Sequence, residues 1–225
     1  MSLNRSSIEL NISDKKTPAV KRIAFFGGAF DPPHCGHEML ARKALSLQLT
    51  DMVLWVPSWA PPHKTAGRMS DYHHRLAMVE IVAGKIPGCK VSDIEFRKQF
   101  DPSYSYKVMN ALQEEYPDAE LQLLIGEDSL TSLHTWYSAR ELVEKYPVIA
   151  FPRKSDTPEK SAVSLIPVDF WGVIQAEKLQ KSLIKGEYVE ISSTNLRKEL
   201  AKNENMHHII NAELLEYIKK HGLYR

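Results

Sequence analysis

Apolar positions along this chain fall into two alternating rhythms. Compact runs at Ile23-Ala-Phe-Phe26, Met52-Val-Leu-Trp-Val56, Leu121-Gln-Leu-Leu-Ile125 and Val148-Ile-Ala-Phe151 have the length and side-chain types of strands buried on both faces. Cys89–Ile94 reads as a further strand. The stretches between them show helical spacing: Leu40, Ala44, Leu45 and Leu47 over residues 35–48, then Leu76, Val79, Val82 and Ala83 over residues 71–84. A third helix is predicted over 105–115, ending before Pro117, and another around 138–145. Such alternation predicts an α/β fold, a Rossmann-like doubly wound parallel sheet with helices on both faces. Ligands of such sheets bind beyond the carboxyl ends of the strands, where the strand order reverses.

The pattern weakens after the fifth strand. Lys154–Ser161 reads as a polar loop, Leu165–Trp171 as a strand, and 174–184 as a helix with Leu179 and Leu183 inward. A strand at Tyr188–Ile191 and helices near 194–202 and 211–220 complete the chain. Residues 1–20 are polar and mixed in charge, which predicts a disordered leader ahead of a single domain over 21–225. Within that domain, residues 186–225 form a small helical C-terminal part.

Composition narrows the function classes. A formal charge of +1 offers no concentrated basic face for nucleic acid. No apolar run is long enough to span a bilayer, and Cys35 and Cys89 stand far apart in no metal or redox spacing. The expectation is a cytoplasmic protein without membrane or nucleic-acid partners. His34, Cys35, His37, His63, His73 and His74 form no zinc-binding spacing, so no resident metal is expected and the His73-His74 pair reads as solvated surface.

The densest chemistry lies in residues 22–37, Arg-Ile-Ala-Phe-Phe-Gly-Gly-Ala-Phe-Asp-Pro-Pro-His-Cys-Gly-His. Gly27 and Gly28 let backbone amides approach a ligand closely. Asp31-Pro32-Pro33 stiffens the loop and delays the helix until Pro33 has passed. His34 and His37 then share one face of the first helical turn, with Gly36 leaving room between them. Two imidazoles, free amides and a helix N-terminus converge on a point that suits phosphate oxygens. The dinucleotide fingerprint G-x-G-x-x-G is absent.

A second constellation is Ile191-Ser192-Ser193-Thr194-Asn195-Leu196-Arg197. Its hydroxyls suit a helix start. Arg197 and Lys198, however, put cations at the positive end of the dipole, at a cost of roughly 0.3–1 kcal/mol each. No Glu stands at the capping-box position, so a bound anion would reverse the sign.

The run from Gly28 to His37 resembles the HxGH phosphate-binding signature of the nucleotidylyltransferase superfamily, and Ile191–Arg197 resembles its ISSTxxR element. The family commonly has Ser or Thr where Ala29 stands. The resemblance implies that His34, His37 and Arg197 act on the phosphates. It places ATP against Gly27, Gly28, Ala29, Phe30, Gly36, Ile191, Ser192, Ser193 and Thr194. Mg²⁺ would arrive on the ATP oxygens.

Further matches point to one branch, the bacterial nicotinate-mononucleotide adenylyltransferases. They are Pro61-Pro62-His63-Lys64, Pro102-Ser103-Tyr104-Ser105, Gly126-Glu127-Asp128-Ser129-Leu130 with Trp136-Tyr137, and His221-Gly-Leu-Tyr224. The branch implies a mononucleotide held by Lys64, Ser103, Tyr104, Ser105, Asp128, Trp136 and Tyr137, with amides near Trp136-Tyr137 taking the nicotinate carboxylate. It implies transfer of AMP from ATP to nicotinate mononucleotide, with no covalent enzyme intermediate. Arg75 matches a family arginine and equally suits a structural ion pair. Phe151-Pro152-Arg153-Lys154 replaces the family's Arg-Pro-Gly turn, and 155–186 does not align. Two alternatives stand beside this reading: another phosphate acceptor, such as nicotinamide mononucleotide, and a non-catalytic nucleotide-binding regulator. A homo-oligomer is left open.

Overall fold

The most apolar runs become the central strands. In this computed structural model, which describes residues 21–62, 69–152, 166–184, 191–202, 206 and 209–225, five parallel strands form one sheet. They are β1 (Arg22–Gly28), β2 (Met52–Pro57), β3 (Cys89–Val91), β4 (Glu120–Gly126) and β5 (Val148–Phe151), in the order β3-β2-β1-β4-β5. The order reverses between β1 and β4, so a crevice opens at their carboxyl ends.

Helices cover both faces: α1 (Cys35–Ser46), α2 (Tyr72–Ala83), α3 (Ile94–Lys98), α4 (Ser105–Glu115), α5 (Glu127–Ser132), α6 (Ala139–Lys145), α7 (Val168–Trp171), α8 (Val173–Lys181), α9 (Ser193–Ala201) and α10 (Ala212–Lys220). The period-two geometry of a strand decides which face each residue serves. Ile23, Phe25, Leu54 and Leu123 pack with Val108 and Leu112 of α4, Leu142 of α6 and Leu179 of α8. Ala24, Phe26, Val53 and Trp55 pack with Ala41 and Ala44 of α1, Val79 of α2, Leu196 of α9 and Leu214 of α10. Each fully buried Leu or Val in these layers contributes about 1.5–3 kcal/mol relative to exposure.

Four expectations are corrected. The strand expected over Cys89–Ile94 ends at Val91, because the Ser92 hydroxyl accepts the Ile94 N–H at 3.3 Å and turns the chain into α3. The described part of the strand expected at Leu165–Trp171 holds the short helix α7 instead. Pro167 has no N–H for a ladder, and its fixed φ starts a helical turn. Leu47 is exposed past the end of α1, whose buried face is Gly36, Ala41 and Ala44. Ile191 lies outside any strand, and residues 188–190 fall outside the described ones. After α8 the chain adds a rudimentary edge to the sheet, with the Ile184 N–H donating to the Ala150 carbonyl at 2.8 Å. Residues 1–20 also lie outside the described ones. Among the described residues no helix is long and apolar enough to cross a membrane.

Candidate active site

The corner after β1 is built by packing beneath it. A Cβ on Gly27 would stand 2.6 Å from the Phe25 ring, so only glycine lets the strand end lie flat on that ring. Phe30 holds a left-handed backbone, φ +47°, which is strained for a bulky residue. Its ring is wedged edge-on against Phe26 and His37, with centroids 5.3 and 5.1 Å away, and that burial keeps the strained turn in place.

Arg75 of α2 forms a strut under the same loop. It is 1% exposed and donates to the Ala29 carbonyl at 3.0 Å and the Ser70 carbonyl at 3.1 Å. Burial lowers its pKa, while Asp31 opposes that shift. Its hydrogen bonds go to backbone, so it shapes the loop.

His34 caps α1 and donates its backbone N–H to Nδ1 of His37 at 3.2 Å. An acceptor Nδ1 carries no proton, so neutral His37 is protonated on Nε2. The two imidazole centroids lie 3.8 Å apart. Both rings line a cavity of about 820 Å³ that also takes in Gly27, Gly28, Ala29, Phe30, Gly36 and Ile191. The same cavity extends to Ser103, Tyr104, Ser105, Asp128, Trp136 and Tyr137.

The late motif is clasped onto this corner. Arg197 donates from Nη1 to the Asp31 carbonyl at 2.8 Å and from Nη2 to the Thr194 hydroxyl at 3.3 Å. The Ser193 hydroxyl donates to the Pro32 carbonyl at 3.2 Å. The Asp31 carboxylate lies 3.7 Å from the same guanidinium, which offsets part of the cost of a cation at the start of α9. Ser192, Ser193, Thr194 and Arg197 are not among the residues that line this cavity.

At the far end, Tyr104 and Tyr137 stack at 4.6 Å and 15°, with the Lys107 ammonium over both rings. Trp136 donates its backbone N–H to the Leu133 carbonyl at 3.0 Å. Asp128 leans over Gly126, where a Cβ would meet its Oδ1 at 2.8 Å. Lys64, His63 and Arg153 lie outside the described residues. His74 is not solvated surface: its Nδ1 lies 2.9 Å from the Tyr217 hydroxyl of α10. Among the described residues no cluster of His, Cys, Asp or Glu is placed to hold a metal ion.

Sequence reasoning missed Glu95. Its carboxyl is 2% exposed, accepts the Trp59 N–H at 2.8 Å and a bond from the Ser103 hydroxyl, and burial pushes its pKa up to about 7. Ser103 also pairs with Ala60 through both its amide, at 2.9 Å, and its hydroxyl, at 2.8 Å. Glu95 thus pins two walls of the cavity together. Nothing in the sequence singles it out, since it stands among Asp93, Arg97 and Lys98.

Glycine amides, paired imidazoles and a helix N-terminus in the central crevice of a parallel sheet define a nucleotide-binding site of the nucleotidyltransferase kind. The family described as Cytidylyltransferase-like matches residues 25–199, and the chain belongs to that family. The chain is 33% identical over 204 residues to a "Probable nicotinate-nucleotide adenylyltransferase" of Carboxydothermus hydrogenoformans, covering 91% of this chain and 98% of that one. A protein of the same description from Clostridium tetani is 31% identical, covering 92% of this chain and all of the relative, 100%. In structure, the chain resembles Plasmodium falciparum nicotinic acid mononucleotide adenylyltransferase complexed with NaAD. The TM-score is 0.68 and the identity 21%, with 91% of this chain and 97% of that one covered. That likeness establishes the shared fold.

Proposed function

We propose that this protein transfers AMP from Mg-ATP to the phosphate of nicotinate mononucleotide, releasing pyrophosphate and forming nicotinate adenine dinucleotide. The reading is carried by one cavity that runs from the His34–His37 pair to the Tyr104–Trp136 end, which gives room for a triphosphate and a pyridine mononucleotide together. The relatives named nicotinate-nucleotide adenylyltransferase support the choice of acceptor.

An oxygen of the mononucleotide phosphate attacks the α-phosphorus in line. The bond from that phosphorus to the bridging oxygen breaks, and its electrons leave with pyrophosphate. His37 donates from Nε2 to phosphate oxygens, His34 acts beside it, and Arg197 holds the departing pyrophosphate once swung from the Asp31 carbonyl. The Gly27 and Gly28 amides and the start of α9 complete the anion site. Catalysis is positioning and charge stabilisation, with no covalent enzyme intermediate. Mg²⁺ comes as part of the Mg-ATP substrate, consistent with its preference for phosphate oxygens and water.

At the acceptor end, Asp128, Ser103, Tyr104, Ser105 and Trp136 surround the mononucleotide. With the Trp136 N–H bonded internally, the nicotinate carboxylate falls to the next amide, that of Tyr137. Cys35 and Cys89 are free thiols, which supports a reducing, cytoplasmic setting.

The deciding experiment is pyrophosphate release from Mg-ATP with nicotinate mononucleotide, nicotinamide mononucleotide and phosphopantetheine in separate reactions. Fastest release with nicotinate mononucleotide is expected. Release only with another acceptor reassigns the substrate, and release with none leaves a nucleotide-binding regulator.

A further inference from the structure

Asp31 gathers more partners than any phosphate-binding role explains. Its carboxyl is 1% exposed, yet it is reached from three separate parts of the chain. Beyond the end of α10, the Tyr224 hydroxyl donates to Oδ1 at 2.6 Å. Just before α2, the Ser70 N–H reaches Oδ1 at 3.3 Å and Oδ2 at 3.4 Å. From α9, Arg197 comes within 3.7 Å of Oδ2 while its Nη1 donates to the carbonyl of the same residue.

Arg197 therefore has two competing acceptors on one residue. A fully formed arginine–carboxylate pair is the stronger of the two, being charge-assisted and capable of two parallel hydrogen bonds. The guanidinium nevertheless rests on the carbonyl, and the carboxylate has already taken the Tyr224 and Ser70 donors. Of those, Tyr224 makes the shortest bond. Its backbone is also held at φ +64°, left-handed for a bulky side chain, which only a firm tertiary contact sustains. Burial and the adjacent Asp31 push the phenol pKa up, so the hydroxyl stays a donor throughout the physiological range.

We propose that Tyr224 is a positioning residue for Arg197: by occupying the Asp31 carboxylate, it keeps the guanidinium on the loop carbonyl, from which it can swing to the ATP phosphates. This rests on the reading of Arg197 as a phosphate ligand. It gives the His221-Gly-Leu-Tyr224 ending a task at the active site, without contact to substrate.

Tyr224→Phe keeps the ring and removes the donor. The carboxylate, left with the long Ser70 bonds and the nearby Arg75 charge, then captures Arg197 in a two-point pair, and the guanidinium is withdrawn from ATP. The expected result is a rise of roughly tenfold in the KM for Mg-ATP, and for pyrophosphate in the reverse reaction, the size of one lost charge-assisted contact. The KM for the mononucleotide stays within about twofold, which a general loss of structure would not allow. In an Arg197→Ala background Tyr224→Phe adds nothing further, since the two act on one path. An equal added effect there, or an unchanged Mg-ATP KM in the single variant, overturns the proposal. Arg197→Ala alone tests the underlying reading: if it leaves Mg-ATP and pyrophosphate kinetics intact, that reading fails and not the geometry of the Tyr224 bond. Asp31→Asn in the Tyr224→Phe background is the second arm. It removes the charge that captures Arg197, so the Mg-ATP KM falls back from its roughly tenfold rise toward that of the unaltered enzyme. A KM that stays at the raised value also overturns the proposal.

Discussion

A single acceptor decides what His37 can do. Because its Nδ1 takes the His34 N–H at 3.2 Å, the ring offers one N–H, on Nε2. The sequence placed both histidines on one helical face but could not say which nitrogen would face outward, since that depends on the backbone angle of the cap. His37→Ala removes this donor, and the expected loss in turnover is about 10²–10³-fold, as for other donors aimed at developing charge. Steady-state kinetics should show mononucleotide KM changed by no more than about twofold; undiminished turnover would remove His37 from the mechanism. Arg75 shows the opposite limit of residue-level reading. Its identity matched a family arginine and equally suited a structural ion pair; the fold buries it with its hydrogen bonds on the Ala29 and Ser70 carbonyls.

At the scale of elements, the walls of the site are joined by groups whose meaning depends on distant neighbours. Glu95 lies in the first turn of α3, while its partners Trp59 and Ser103 lie after β2 and before α4. Burial raises its pKa from 4.5 to about 7, so the protonated form is the one the fold favours. An acid whose native pKa lies above its unfolded value gives its full contribution below about pH 4.5 and loses it as pH rises through about 7. The loss at alkaline pH amounts to roughly 3 kcal/mol by linkage. Glu95→Gln keeps the acceptor for Trp59 and removes the titration. Urea unfolding at about pH 5 and about pH 8.5 should therefore show a steeper loss in the unaltered protein than in the variant, by an amount of that order. Parallel profiles would mean that Glu95 is ionised at little cost. The main strands and helices were legible from apolar periodicity alone. The exceptions were α3, α5 and α7, whose starts are set by local chemistry or tertiary packing over spans too short for a period to register.

For the whole molecule, a nucleotide held between the loop after β1 and the start of α9 should tie the first and last parts of the fold together. Mg-ATP at a hundredfold excess over Kd stabilises by about 2.7 kcal/mol, roughly 5–10 °C in Tm for a chain of this size. A thermal shift assay on Arg197→Ala should recover about half of that shift, the remainder left by a roughly tenfold loss of affinity, with the shift from mononucleotide retained. A full Mg-ATP shift in the variant would place the triphosphate elsewhere. By itself, the sequence determined the parallel sheet and set one motif at a strand end and the other at a helix start, because strand burial, glycine and proline backbone limits and helix capping act over a few neighbouring residues; the family followed from the resemblance of those motifs. Only the tertiary structure decided that Arg197 rests on Asp31, that Tyr224 holds the other side of that residue, and that Glu95 binds the walls. Those contacts join residues as many as 193 positions apart, and their partners are fixed by how the layers close, which no local pattern encodes.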